Sequence, residues 1–253
     1  MNVYFKQKIL PRINKRLINA FQYRLQEVDY YYIINQRISI VSPSNFRFIQ
    51  IGAYDGISDD QITNFIQNYN IPGILLEPQI DVYNKLVENY SKQKNLILLN
   101  CALSTICGES DFFTIKDSVG VPSWAKQAAS FHKDNLLKLK YGIPEHGIPS
   151  IPNIENLIQN IPVKTINFDG IFALLPSAFE SIELLQIDAE GYDAEIIEMF
   201  PFHKIIPTII RFEHMHLKNN DYVHALKKLK SLGYSILTEK SDTVAFISYR
   251  IGC

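Results

Sequence analysis

The sequence predicts an α/β fold, a doubly wound and mostly parallel sheet, on three observations. From Phe46 onward, short apolar runs alternate with stretches whose apolar residues recur at helical spacing. Such alternation implies parallel pairing through right-handed crossovers. The length, 253 residues, suits one large α/β domain with or without a small appendage. The composition, 47% hydrophobic and 20% charged, is that of a globular chain able to bury a core without a disulfide or metal staple.

Residues 1–45 stand apart as an N-terminal helical segment. Leu10, Ile13, Leu17, Phe21 and Leu25 follow helical spacing, Pro11 suits a first turn, and Lys6, Lys8, Arg12, Lys15, Arg16 and Arg24 lie mostly off that stripe. The expected role is a helix capping the main domain or forming a subunit interface. The alternative is a helix lying on a membrane surface, the one route to membrane association this chain offers. Asp29 reads as the N-cap of a second short helix through Tyr30–Ile34.

Residues 46–253 form the main domain. Phe46–Ile51 reads as a buried strand, followed by a Gly-bearing turn and a helix over about 60–69. Ile74–Leu76 is a second strand, a helix with Val82, Leu86 and Tyr90 on one stripe follows, and Asn95–Asn100 is a third strand. Residues 104–180 interrupt the alternation: Asp111–Ile115 looks like an extra strand, Val163–Ile166 like a short one, and 117–160 like a lid or binding loop. Ile182–Ile187 and Pro207–Phe212 are the next main strands, with helices at Tyr192–Phe200 and about 221–231. Tyr234–Thr238 and Thr243–Ser248 close the chain as an antiparallel hairpin about the turn Glu239–Asp242.

Net charge is −1, so no global field draws the chain to nucleic acid or an anionic membrane. Cys101, Cys107 and Cys253 make no CxxC pair, and no apolar run approaches the ~18 residues of a membrane span. The N-terminus lacks the pattern of a secretory signal, and a reducing, cytoplasmic setting is expected.

In open parallel sheets ligands bind beyond the carboxyl ends of the strands, so those ends hold the candidate site. The first is Gly52-Ala53-Tyr54-Asp55-Gly56, where glycines permit a tight turn and close approach to a ligand. The GxGxxG fingerprint is absent, which disfavours a pyrophosphate ligand. Asp55 suits a ligand carrying an ammonium or sulfonium. The second end is Glu77-Pro78, where a carboxylate can accept from both hydroxyls of a ribose. The fourth, Asp188-Ala189-Glu190-Gly191-Tyr192-Asp193, places three carboxylates within six residues. Repulsion and partial burial raise the pKa of at least one of them. Asp193 fits a structural place at a helix N-terminus, whereas Asp188 and Glu190 sit where a reacting group would lie. The fifth end, Arg211-Phe212-Glu213-His214-Met215-His216, offers a general base, with a hard divalent ion as an uncommitted alternative. Ser130 and His132 make no nucleophile set, and scattered Lys and Arg make no nucleic-acid platform.

These stretches resemble the FkbM family of class I methyltransferases. The resemblance is carried by Phe48–Gly56, Gly73–Pro78, Asn100–Ser104, Ala129–Phe131, Leu184–Asp193 and Arg211–His214, and spans about residues 46–248. Tyr54 stands where many members have Asn. The resemblance implies a seven-stranded sheet whose last strand inserts antiparallel, S-adenosylmethionine as cofactor, and O-methylation, often of sugar hydroxyls.

On that footing Gly52, Ala53, Tyr54, Asp55 and Gly56 hold the methionine end of the cofactor, Glu77 with Pro78 the ribose, and Ala102 and its neighbours the adenine. Asp188 flanks the transferred methyl. His214 or Asp188 is the expected base, with Glu190 orienting the acceptor, a glycan or other small molecule, and 117–160 is the expected acceptor lid. No metal is assigned, and oligomerisation stays open. Two rivals stand beside this reading. A nicotinamide-dependent oxidoreductase shares the fold and Glu77 but has no need of the acidic cluster. A nucleoside-binding module without catalysis tolerates its loss.

Overall fold

The computed structural model describes residues 29–58, 60–116, 121–122, 125, 127–142, 147, 149–175 and 181–252. The basic helix expected before residue 29 and, within the expected lid, residues 117–120, 123–124, 126, 143–146 and 148 lie outside the described residues.

Helix α1 (Tyr30–Val41) starts where expected but runs longer than Tyr30–Ile34. The Asp29 carboxylate accepts the Tyr32 N–H at 2.8 Å, satisfying one donor that a helix start leaves open. The wound part then runs β1 (Phe48–Ile51), α2 (Thr63–Tyr69), β2 (Gly73–Leu76), α3 (Ile80–Asn89) and β3 (Leu96–Leu99). After an excursion it resumes as β8 (Leu184–Ile187), α7 (Asp193–Met199), β9 (Ile209–Glu213), α8 (Asn219–Ser231), β10 (Ser235–Glu239) and β11 (Asp242–Phe246). The seven-stranded sheet has the order β10-β11-β9-β8-β1-β2-β3, and β11 alone runs antiparallel to its neighbours. The hairpin read from the sequence and the seventh strand implied by the resemblance are both present.

Strands β1, β2 and β8 are buried along their whole length, as parallel strands covered on both faces must be. One face packs Ile49, Ile51, Leu185 and Ile187 against Ile196 and Ile197 of α7 and Leu229 of α8. The other packs Phe48, Leu75 and Leu184 against Ile33, Ile34 and Ile38 of α1, Phe65 and Ile66 of α2, and Leu86 of α3. Each fully buried aliphatic side chain contributes roughly 1.5–3 kcal/mol. Thus α1 shares the core of the main domain.

The excursion builds β4 (Ala102–Leu103), β5 (Gly108–Ile115), β6 (Ala129–Ser130), α4 (Lys133–Leu137), α5 (Ile154–Leu157), β7 (Ile158–Ile166) and α6 (Phe168–Ala173). Its strands form a second sheet in the order β4-β7-β5-β6. The two strands expected here, Asp111–Ile115 and Val163–Ile166, are present but longer, and the sequence did not reveal that they pair. β5 pairs antiparallel with β7 from Gly108↔Thr165 to Ile115↔Ile158. Each strand is too polar on its outward face to read as a core strand, and its partner lies far along the chain.

Candidate active site

Two adjoining cavities open at the carboxyl ends of β1, β2, β8 and β9 and share Gly52, Gln127, Asp188 and Glu190. The first is a slot walled by Glu77, Pro78, Ala102, Phe131, Asp188 and Tyr192, among others. The second, of about 380 Å³, is lined on its floor by Gln50, Asp60, Gln186, Arg211, Glu213 and Asp242.

The tips of β1 and β8 touch. Gly52 has φ +78°, and a Cβ there would lie 1.8 Å from the Asp188 carbonyl oxygen. Only glycine permits this approach. At Gly56, φ +75°, a Cβ would lie 2.4 Å from the Tyr90 ring. Tyr54 holds φ +47°, a left-handed conformation that Asn visits far more readily than Tyr. That preference explains the Asn usual at this position in the resemblance.

Glu77 is 3% exposed. Its Oε2 accepts the Tyr54 N–H at 3.0 Å and its Oε1 the Gln79 N–H at 2.8 Å, so it ties the tips of β1 and β2 together. Burial pushes its pKa up to about 7. Each oxygen keeps a lone pair for a ligand in the slot. Asn100 steadies this tip by donating to the Glu77 and Pro78 carbonyls at 2.9 and 3.1 Å.

Asp55 departs from its expected place at the ligand. It lines neither cavity. Its Oδ1 accepts the Ile57 and Ser58 N–H groups at 3.0 and 2.7 Å, and its Oδ2 the Ser58 hydroxyl at 2.7 Å. Partial burial acts to raise its pKa, but these bonds outweigh it and hold the pKa below the ordinary value. Asp55 therefore caps its own loop.

Asp60, further along the same turn, does line the cavity, and reading strand ends alone does not find it. It accepts from Gln50 Nε2 at 2.9 Å and Gln186 Nε2 at 3.1 Å. Gln50, Gln186 and Arg211 sit side by side in register across β1, β8 and β9. The sequence carried a signal for them: Phe48-Ile49-Gln50-Ile51, Leu184-Leu185-Gln186-Ile187 and Ile209-Ile210-Arg211-Phe212 each place one polar residue third in an otherwise apolar strand. Tyr30 of α1 closes the row, donating its hydroxyl to Gln186 Oε1, while the Arg211 guanidinium lies 5.2 Å over the Tyr30 ring and 2.8 Å from Asp242.

Asp188 is hemmed in by protein mass while its own surface faces the cavity. Loss of bulk water first, and Glu190 second, raise its pKa. Glu190 is raised by the same loss of water. Glu190 holds φ +50°, and its carbonyl accepts from Asn135 Nδ2 at 3.2 Å. Non-glycine residues held in this region cluster at functional sites. Asp193 is fully buried, accepting the Ala189 and Gly191 N–H groups at 3.3 Å and the Glu213 N–H at 3.1 Å. Its role is structural, as expected, and wider than a helix start.

The two histidines of the fifth strand end separate. His214 lies outside both cavity walls: its ring stacks on Tyr222 at 4.9 Å, and its Nδ1 is 3.1 Å from Thr243 Oγ1. His216 is the one that lines the cavity, with Nε2 3.3 Å from Glu190 Oε2 and 3.6 Å from Glu213 Oε2. Both histidines follow the end of β9 in a turn, so the rule that puts strand residues two apart on one face does not hold for them.

Residues 50–236 match the family model described as the methyltransferase FkbM domain. No curated protein matches the sequence. Among solved structures, the chain is similar to methyltransferase FkbM from Methylobacillus flagellatus KT, at 12% identity over 91% of this chain and 59% of that one, TM-score 0.45. It is also similar to the O-methyltransferase TomG from Streptomyces achromogenes in complex with SAM, at 9% identity, 96% and 94% coverage, TM-score 0.41. A Bacillus cereus O-methyltransferase in complex with SAH matches at 11% identity, 96% and 96% coverage, TM-score 0.38. Likeness of this order assigns neither an acceptor nor a residue. The family match covers most of the chain and includes the strand ends described above: the chain belongs to the FkbM family of class I methyltransferases, and S-adenosylmethionine is its methyl donor.

Proposed function

We propose that the chain methylates a hydroxyl of a sugar, a glycan or a glycosylated metabolite. The observation that carries this reading is the floor of the larger cavity. Gln50 Oε1, Gln61 Oε1, Arg211 Nε and Glu213 Oε2 are buried there without a hydrogen-bond partner. Unsatisfied buried polar atoms cost roughly 1–3 kcal/mol each, and a ligand bearing many hydroxyls would meet them. An apolar or purely aromatic acceptor would leave them unmet.

The residues present fit S-adenosylmethionine. Gly52 clears the way for close approach, Ala102 is small, and the carboxylates of Glu77 and Asp188 suit ribose hydroxyls and a sulfonium. The cofactor supplies an electrophilic methyl group. In this reading Gly52, Ala53, Tyr54 and Gly56 shape the turn around its methionine end, with Asp60 in the ligand role that the sequence suggested for Asp55. Glu77 and Pro78 hold the ribose, and Ala102 with Phe131 and Tyr192 the adenine.

Asp188 and Glu190 both border the two cavities, and of the pair Asp188 is the one we assign as base for the acceptor hydroxyl. A positioned base contributes on the order of 10²–10⁴ in rate, and alignment of the two reactants more. Glu190 orients the acceptor. His214 leaves the list of candidate bases because its ring is committed elsewhere.

Residues 117–160 serve as the acceptor lid in this reading, supported by Gln127, Ala128 and Leu139 in the cavity wall. Residues 1–45 stand as an accessory segment, with Tyr30 closing the polar row. Methyl release from labelled S-adenosylmethionine, assayed with mono- and oligosaccharides against catechols and amines, tests the proposal. Transfer to sugars is expected. Transfer confined to phenols or amines would overturn it.

A further inference from the structure

Glu190, Glu213 and His216 converge. One ligand atom from each lies within 4.8 Å of the others, and His216 Nε2 stands 3.3 Å from Glu190 Oε2 and 3.6 Å from Glu213 Oε2. Donors bound to one ion at about 2.1 Å stand roughly 3–3.5 Å apart. The three come from two strand ends that Asp193 ties together, through the Ala189 and Gly191 N–H groups on either side of Glu190 and through the Glu213 N–H, while Asn135 also holds the Glu190 carbonyl.

Two further observations point to a missing positive charge. Glu213 Oε2 is out of reach of solvent and accepts no hydrogen bond. The cation nearest the cluster in the cavity floor, Arg211, is engaged with Asp242 at 2.8 Å. A buried carboxylate oxygen that accepts no hydrogen bond and faces the His216 nitrogen only at 3.6 Å is costly, and a cation seated among the three groups would remove that cost.

We infer that Glu190, Glu213 and His216 bind one divalent cation, of a kind that accepts both carboxylate and imidazole, such as Mn²⁺, with its remaining positions open to the acceptor's oxygens. Three protein ligands leave such positions free, as sites that handle substrate require. The ion lies in the wall of the acceptor cavity beside Asp188. There it would fix one acceptor oxygen and ease loss of its proton. The assignment of the ion to the acceptor rests on the methyltransferase reading; the binding of the ion does not.

The test titrates Mn²⁺ into chelator-treated full-length chain and follows loss of the free-ion signal by electron paramagnetic resonance. Calorimetry with S-adenosylhomocysteine runs on the same samples. We expect one Mn²⁺ per chain, with affinity reduced on the order of tenfold or more in Glu213→Gln and in His216→Asn, while circular dichroism shows both variants folded. Folded wild type that binds S-adenosylhomocysteine but no stoichiometric Mn²⁺ would overturn the site, as would Mn²⁺ binding unchanged in both variants. Mn²⁺ binding without S-adenosylhomocysteine binding would uphold the site and count against the functional reading alone.

Discussion

Strand β8 carries a carboxylate at each end, and the two are treated in opposite ways. Glu183, just before the strand, meets Arg37 Nε at 2.6 Å, Thr208 Oγ1 at 2.8 Å and Ser181 Oγ at 2.9 Å. Burial would raise its pKa, yet these donors outweigh burial and lower it. Asp188, just after the strand, has Glu190 for company, and its pKa rises. Four strand residues, three of them apolar, separate a carboxylate saturated with donors from one left short of them. The first kind ties α1 and β9 to the sheet. The second borders both cavities, where the proposed methyl donor and acceptor would meet.

The largest expected effect falls on Asp188. Asp188→Asn is expected to lower methyl transfer by about 10²–10⁴ while leaving the melting temperature unchanged or raised, because it removes one of several crowded charges. Near-normal turnover would remove Asp188 as the base. Glu183→Ala should do the reverse. It leaves Arg37 buried without its carboxylate and should cost about 3 kcal/mol, or roughly 6–12 °C in Tm, with cofactor affinity little changed in the protein that stays folded. If both variants lost stability alike, the contrast between the two strand ends would fail.

The pH dependence sharpens the same contrast at Glu77. Its pKa is raised from 4.5 to about 7 by burial, so the folded state holds the proton more tightly than the unfolded chain does. Its stabilising contribution is present below 4.5 and fades as pH rises through about 7. Thermal melts of the ligand-free chain should therefore show Tm falling across that window, less steeply in Glu77→Gln. A Tm flat or rising there in the wild type, with no difference in the variant, would contradict a setting in which burial outweighs the two backbone donors. The smallest effect is expected at Tyr54. Asn relieves a left-handed backbone, so Tyr54→Asn should gain about 0.5–1 kcal/mol in denaturant titrations.

What the sequence determined by itself is the wound sheet and the ends of its strands. Periodicity is local: Phe48–Ile51, Gly73–Leu76 and Leu184–Ile187 are apolar runs, broken only at Gln50 and Gln186, because both faces are covered, and the turns after them carry Gly52, Glu77 and Asp188. Only the tertiary structure decided which neighbours of those residues share a cavity. Asp55 turned inward to its own loop while Asp60 reached the floor, because the N–H groups of Ile57 and Ser58 and the Ser58 hydroxyl take up the Asp55 carboxylate. His216 replaced His214 at the cavity because Tyr222 and Thr243 hold the other ring. The second sheet was hidden for a related reason, since β5 finds β7 through pairs some fifty residues apart at the middle of the ladder, such as Ser110↔Val163. Propensity and spacing act over a few residues, whereas cavity walls are set by contacts between distant ones, and no local pattern encodes which distant donor a carboxylate will meet.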